Sequence, residues 1–178
     1  MQGKTAKREQ DWEAAPPERS VSHQGTLSKL VRGKNINERT LLATDYLNHF
    51  NEIVMVLELV PDMPDCLEEA RAWTPKTYAE HFRDSAFTDK ELAILAYENA
   101  PPAHRDPFDR VVVSLNKLVV KGLADVAAAI AADDSEALRH RVETVTGKLR
   151  RLIDMASAII HGNQHTMDQG EIDRIMSY

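Results

Sequence analysis

Apolar residues recur at three- and four-residue spacings along three long stretches of the chain, the period of one buried face of an α-helix. In the first stretch Leu42, Tyr46, Phe50, Ile53, Leu57 and Val60 line up. They predict a helix over 37–60, with Asn37 placed to cap its start and Pro61 to stop it. Val111, Leu115, Leu118, Gly122, Val126 and Ile130 trace the second, over 107–132, opened by Asp106-Pro107. Asp133-Asp134-Ser135 breaks the chain, and Leu138, Val142, Val145, Leu149, Leu152, Ala156 and Ile159 form the third stripe. Gly162 suits the left-handed position that follows a helix C-terminus. At 1.5 Å per residue the last two helices are each ~40 Å long, and the short break makes them antiparallel neighbours.

Between these stripes the punctuation predicts several short helices. Pro64 opens one that reaches Trp73, and Thr74-Pro75 opens another. Thr88-Asp89-Lys90-Glu91 has the spacing of a capping box and opens a third, carrying Leu92, Leu95 and Ala96. Val111–Val113 and Leu118–Val120 are short β-branched runs, but both sit inside a longer helical period. The predicted fold is all-α, a bundle of three long helices, with the short middle helices closing its fourth side or capping it.

The polar stretch 1–25 contains Pro16-Pro17, and its composition predicts a disordered N-terminal tail with Trp12 as a lone apolar side chain. The bundle domain is expected over 26–162. Residues 163–178 then form a linker and a short amphipathic helix.

Composition narrows the function classes. The chain has 178 residues, of which 43% are hydrophobic and 28% charged, as expected of one globular domain. Its formal net charge is −6, and no basic stripe of the kind that binds phosphate backbones stands out, so nucleic acid is not an expected partner. Lys148, Arg150 and Arg151 form only a small cluster late in a helix, where positive charge complements the helix dipole. The apolar run Ile53–Val60 is too short to span a bilayer and contains Glu58. A single cysteine, Cys66, excludes an internal disulfide, and its acidic neighbours Asp65, Glu68 and Glu69 argue against a reactive thiolate. A cytoplasmic location is the expectation.

Two groups of residues carry candidate chemistry. In the C-terminal segment, Asp168 and Glu171 have capping-box spacing, and Ile172, Ile175 and Met176 fall on one helical face. So short a helix is unstable alone in water, and its pattern suits either docking on the bundle or insertion into a partner's groove. In the first long helix, Asp45, Asn48 and Glu52 lie three and four residues apart and project from one side. An acid and an amide one turn apart can position water against an aspartyl phosphate carried by another protein. The alternative is an ordinary solvated helix face.

The pattern Asp168-Gln169-x-x-Ile172-Asp173-x-Ile175-Met176 resembles the C-terminal tail of the chemotaxis phosphatase CheZ and the N-terminal peptide of the flagellar switch protein FliM. That resemblance implies a helix that folds on a phosphorylated CheY-like response regulator, with Asp168, Gln169, Glu171, Ile172, Asp173, Ile175 and Met176 as contact residues. The chain departs from those families at Arg174, and it contains no Asp-x-x-x-Gln, the signature of the CheZ bundle. The first expectation is therefore a signalling protein of chemotaxis or motility type that binds a response regulator, with Asp45, Asn48 and Glu52 as a candidate catalytic set for an atypical phosphatase.

Two alternatives compete with this expectation. One is a non-enzymatic structural or assembly bundle whose tail packs on its own domain. The other is a metal-binding bundle; His49 and Glu52 are three apart, but no Glu-x-x-His exists, and neither a metal nor a cofactor is expected. His140, between Arg139 and Arg141, is the histidine best placed electrostatically for phosphotransfer, against the simpler account of an exposed histidine in a charged stretch. The long 107–161 hairpin makes a homodimer an open expectation.

Overall fold

The computed structural model describes residues 18–163 and 169–177. Among them every regular element is helical: α1 (Glu18–Leu30), a 3-10 turn (Thr44–Leu47), α2 (Asn48–Leu59), α3 (Cys66–Ala72), α4 (Tyr78–Asp84), α5 (Lys90–Glu98), α6 (Pro102–Ala131), α7 (Ser135–Ile160) and α8 (Gln169–Met176). Helix α1 covers part of the segment expected to belong to the N-terminal tail, and Leu27 of that helix is buried.

Helices α6 and α7 form the dominant pair, an antiparallel hairpin whose apolar stripes face each other. Its turn is built from local chemistry. Asp133 takes a left-handed φ of 52°, and the amides of Asp133 and Asp134 donate back to Ile130 and Ala129, closing the end of α6. Asp134 then caps α7, its carboxylate accepting from the Ala137 amide at 2.9 Å. At the far end Gly162 adopts φ 80°; its amide donates to Ile159 and that of Asn163 to Ala158, which ends α7 in a Schellman motif. Midway along the hairpin Gly122 is buried opposite Val145, and the missing side chain lets the two helices approach.

The all-α class holds, with two long helices in place of three. The expected helix over 37–60 is split. Asn37 accepts from the amides of Arg39 at 2.9 Å and Thr40 at 3.0 Å, so it caps a turn that goes no further. Leu41 then takes φ 60°, and the Thr40 hydroxyl donates to the Ile160 carbonyl at 2.6 Å, tying this segment to the end of α7. Leu42 is fully buried as its spacing predicts, but on non-helical backbone. Helix proper begins at Asn48 and lies against α7.

Three other starts differ from expectation. Helix α6 begins at Pro102 and runs through Pro107, which lacks an amide hydrogen and so forgoes one early backbone bond. The Thr88–Glu91 capping box does not form; Asp89 precedes α5 without a side-chain cap, and its carboxylate pairs with Lys34 at 2.9 Å. The capping box belongs to α4 instead, where Thr77 and Glu80 satisfy each other's amides. Helix α3 packs on α2 and α6, α4 packs on α5, and α8 lies against α7 and α6.

Candidate functional site

The two expected sites lie in different parts of the molecule. Asp45 sits in the 3-10 turn, half-buried, with its carboxylate accepting from the Asn35 side-chain amide. Asn48 and Glu52 follow on α2, one turn apart and both exposed. The structure thus brings the pair Asn48/Glu52 to one surface, while Asp45 is engaged by a neighbour.

Between them, His49 turns the other way and is buried at 5% exposure. Its ring stacks on Trp73 at 4.7 Å and lies 6.0 Å from the His81 ring, while the Trp73 indole N–H donates to the His49 carbonyl at 2.9 Å. Burial above all, then repulsion from His81, lowers the His49 pKa to about 4, offset in part by a backbone hydrogen bond at Thr74. His81 is lowered as well, chiefly by burial, against a backbone hydrogen bond at Asp45 and the nearby charge of Glu52. This end of α2 is therefore an aromatic-histidine cluster beneath a polar edge. His49 is a neutral core histidine, and its Nε2 has no hydrogen-bond partner among the described residues.

No group of three or more His, Cys, Asp and Glu side chains among the described residues is arranged to hold a metal ion. Cys66 is a half-buried free thiol, and no described helix is long and apolar enough to cross a membrane.

The second expected site is α8. Ile172 is buried at 4% exposure against the core, and Ile175 and Met176 are partly buried beside it. Glu171, Asp173 and Arg174 point to solvent, and the Arg174 guanidinium donates to the Gly170 carbonyl at 3.1 Å. Gln169 opens the helix, and Asp168 lies outside the described residues. The apolar face read from the sequence is real, and it is turned inward onto α6 and α7.

Two clefts flank this docked helix. One, of about 640 Å³, runs between α7 and α8 and is lined by Lys148, Arg151, Asp154, Met155, Glu171 and Arg174. The other, of about 380 Å³, lies on the α6–α7 seam beside Met176, with Lys121, His140 and Arg141 at its rim and Gly122 and Val145 among its lining. The acidic edge of α8 thus shares its setting with a cationic margin of α7. Sequence reasoning recorded Lys148 and Arg151 only as helix-terminal charges. Their relation to Arg141, seven residues before Lys148, was a usable signal, because i, i+7 and i+3 positions share a helix face.

Comparisons with family models, with curated proteins and with solved structures found no match to this chain.

Proposed function

We propose that this chain is a cytoplasmic interaction protein of the chemotaxis and motility type, in which α8 is a ligand for a CheY-like response regulator and is parked on its own bundle between encounters. The observation that carries the proposal is the character of α8: a short amphipathic helix held by one fully buried isoleucine and two half-buried neighbours. Burying one such side chain fully contributes about 1.5–3 kcal/mol, so the three together supply roughly twice that at most. Against this stands the cost of ordering a helix too short to persist alone. The balance puts α8 at the low-stability end of the molecule, where segments open locally without global unfolding. A partner groove that accepts the same three side chains competes for it directly.

In the phosphatase form of this proposal, Asn48 and Glu52 meet the regulator's aspartyl phosphate, with Asn48 orienting water. One specific observation favours the second reading, a structural or assembly bundle: Ile172 is as buried as the core around it.

The experiment is a titration of a phosphorylated CheY-like regulator against the full chain and against a chain ending at Thr166. The proposal expects binding for the full chain and a loss of at least tenfold on truncation. Equal affinity for both chains, or no binding by either, removes it. An Asn48→Ala chain that leaves regulator dephosphorylation at the wild-type rate removes the phosphatase form alone.

A further inference from the structure

The 3-10 turn, α4, α5 and α6 enclose a cleft of about 300 Å³ that the proposed function does not use. Its walls are aromatic. Tyr78 and Tyr97 stack at 4.3 Å, Tyr46 lies 5.1 Å from Tyr78, and Phe108 lies 5.9 Å from Tyr46. The phenols of Tyr46 and Tyr78 are committed to the backbone: Tyr46 donates to the Lys76 carbonyl at 2.7 Å, and Tyr78 accepts from the Ala43 amide at 2.8 Å.

Two polar side chains of α6 line the same cleft, Asp109 and Asn116. Tyr97 donates its hydroxyl to Asp109 Oδ1 at 2.8 Å, yet Asp109 is half-buried and in no ion pair among the described residues. Burial raises its pKa, against the Tyr97 hydrogen bond and the charge of Arg105, whose guanidinium donates to the Glu98 carbonyl at 3.1 Å. Asn116 Oδ1 is buried and has no hydrogen-bond partner among the described residues. A buried acceptor left unmade costs stability, which singles out such an atom as an open valence of the cleft. Asp109 and Asn116 are two helical turns apart, ~10.5 Å along the axis.

The other charges of the cleft are already engaged. Lys76 is paired with Asp84 at 2.8 Å, and Glu80 holds the Thr77 amide and hydroxyl. What stays open is a carboxylate with no ion pair among the described residues and one amide oxygen, both complementary to positive charge or to hydrogen-bond donors, set over rings of Tyr46, Tyr78 and Phe108 that are already packed on one another. We propose that this cleft binds a small organic ammonium compound with an apolar body. Its ammonium pairs with Asp109 among the tyrosine rings, and a second N–H or O–H donor at its far end meets Asn116.

The probe is 8-amino-1-octanol, which carries an ammonium and a hydroxyl about two helical turns apart, with 1,8-octanediol as its uncharged counterpart. Binding is read by chemical-shift changes at the tyrosine rings of the full chain, together with the titration of the Asp109 carboxyl. The expected result is saturable binding of the amino alcohol, at least tenfold weaker binding of the diol, and a downward shift of the Asp109 titration on saturation. Asp109→Asn retains an oxygen for the Tyr97 hydroxyl and is expected to weaken amine binding at least tenfold while the tyrosine-ring resonances keep their folded dispersion. Equal affinity for amine and diol, wild-type affinity in Asp109→Asn, an unmoved Asp109 titration, or no saturable response up to about 10 mM probe, tenfold above a weak ~1 mM dissociation constant, each overturns the proposal.

Discussion

Replacing Gly122 by alanine sets two effects of known sign against each other. A β-carbon built there falls 2.5 Å from Val145 Cγ1 and 3.1 Å from Cγ2. Comfortable carbon–carbon contact begins near ~3.5 Å, so about 1 Å of relief is needed. Val145 cannot supply it by swinging aside, because a β-branched side chain inside a helix has one strongly preferred rotamer. Overpacking of this kind costs about 1–3 kcal/mol, while alanine in place of glycine returns about 1 kcal/mol of helix propensity. The expected net effect is a destabilisation of about 1 kcal/mol.

The sharper readout is a double-mutant cycle. Val145→Ala alone removes two methyl groups, about 1.6 kcal/mol of burial, and adds the cost of the void. In Gly122→Ala/Val145→Ala the new methyl group enters that void, so the double variant is expected to be more stable than the sum of the singles by at least ~1 kcal/mol. Urea unfolding followed by far-ultraviolet circular dichroism measures all four chains, with unchanged m-values as the check that only stability moved. Additivity within ~0.5 kcal/mol would refute the claim that this contact sets the distance between α6 and α7.

Two further outcomes follow from the capping and the histidine cluster. Asp134→Ala deletes the side-chain cap of α7 and is expected to cost about 0.5–2 kcal/mol by urea unfolding, with Asp134→Ser recovering most of it. His49 has its folded pKa lowered to about 4 from an ordinary value of 6.5, so below 6.5 the unfolded chain binds the proton first. The stability that His49 contributes as a neutral ring is therefore present above pH 6.5 and lost as the pH falls toward 4, by up to ~3 kcal/mol at one pKa unit per 1.36 kcal/mol. His49→Gln is expected to flatten the decline in urea midpoint between pH 6.5 and pH 4.5, and an unchanged decline would assign it to other groups.

The parts of this fold written locally in the sequence were legible, and the parts settled by distant neighbours were not. The whole of α7, from the Asp134 cap to the Gly162 terminus, follows from residues within a turn of each end. The segment 37–43 defeats the same logic: Leu42 keeps its buried place in the helical pattern, but the Thr40 hydroxyl is claimed by Ile160, far away in the chain. Thr88 has the local spacing of a cap, yet α5 starts after Asp89, whose carboxylate pairs with the distant Lys34. The face of α8 formed by Ile172, Ile175 and Met176 could be read from spacing alone. Its direction could not, because the surface that covers it belongs to α6 and α7. In the sequence His49 is a candidate metal ligand three residues from Glu52, and only the stacking of Trp73, at the end of α3, makes it a core residue.

Amide hydrogen exchange across residues 172–176 tests the central claim most directly, with the chain free and with saturating phosphorylated CheY-like regulator. Local release of α8 predicts exchange in the free chain much faster than in the middle of α7, and slowing of at least tenfold when the regulator takes the helix. Exchange of these amides only at the rate of global unfolding, unaltered by the regulator, would show that α8 is a permanent part of the bundle and not a ligand held in reserve.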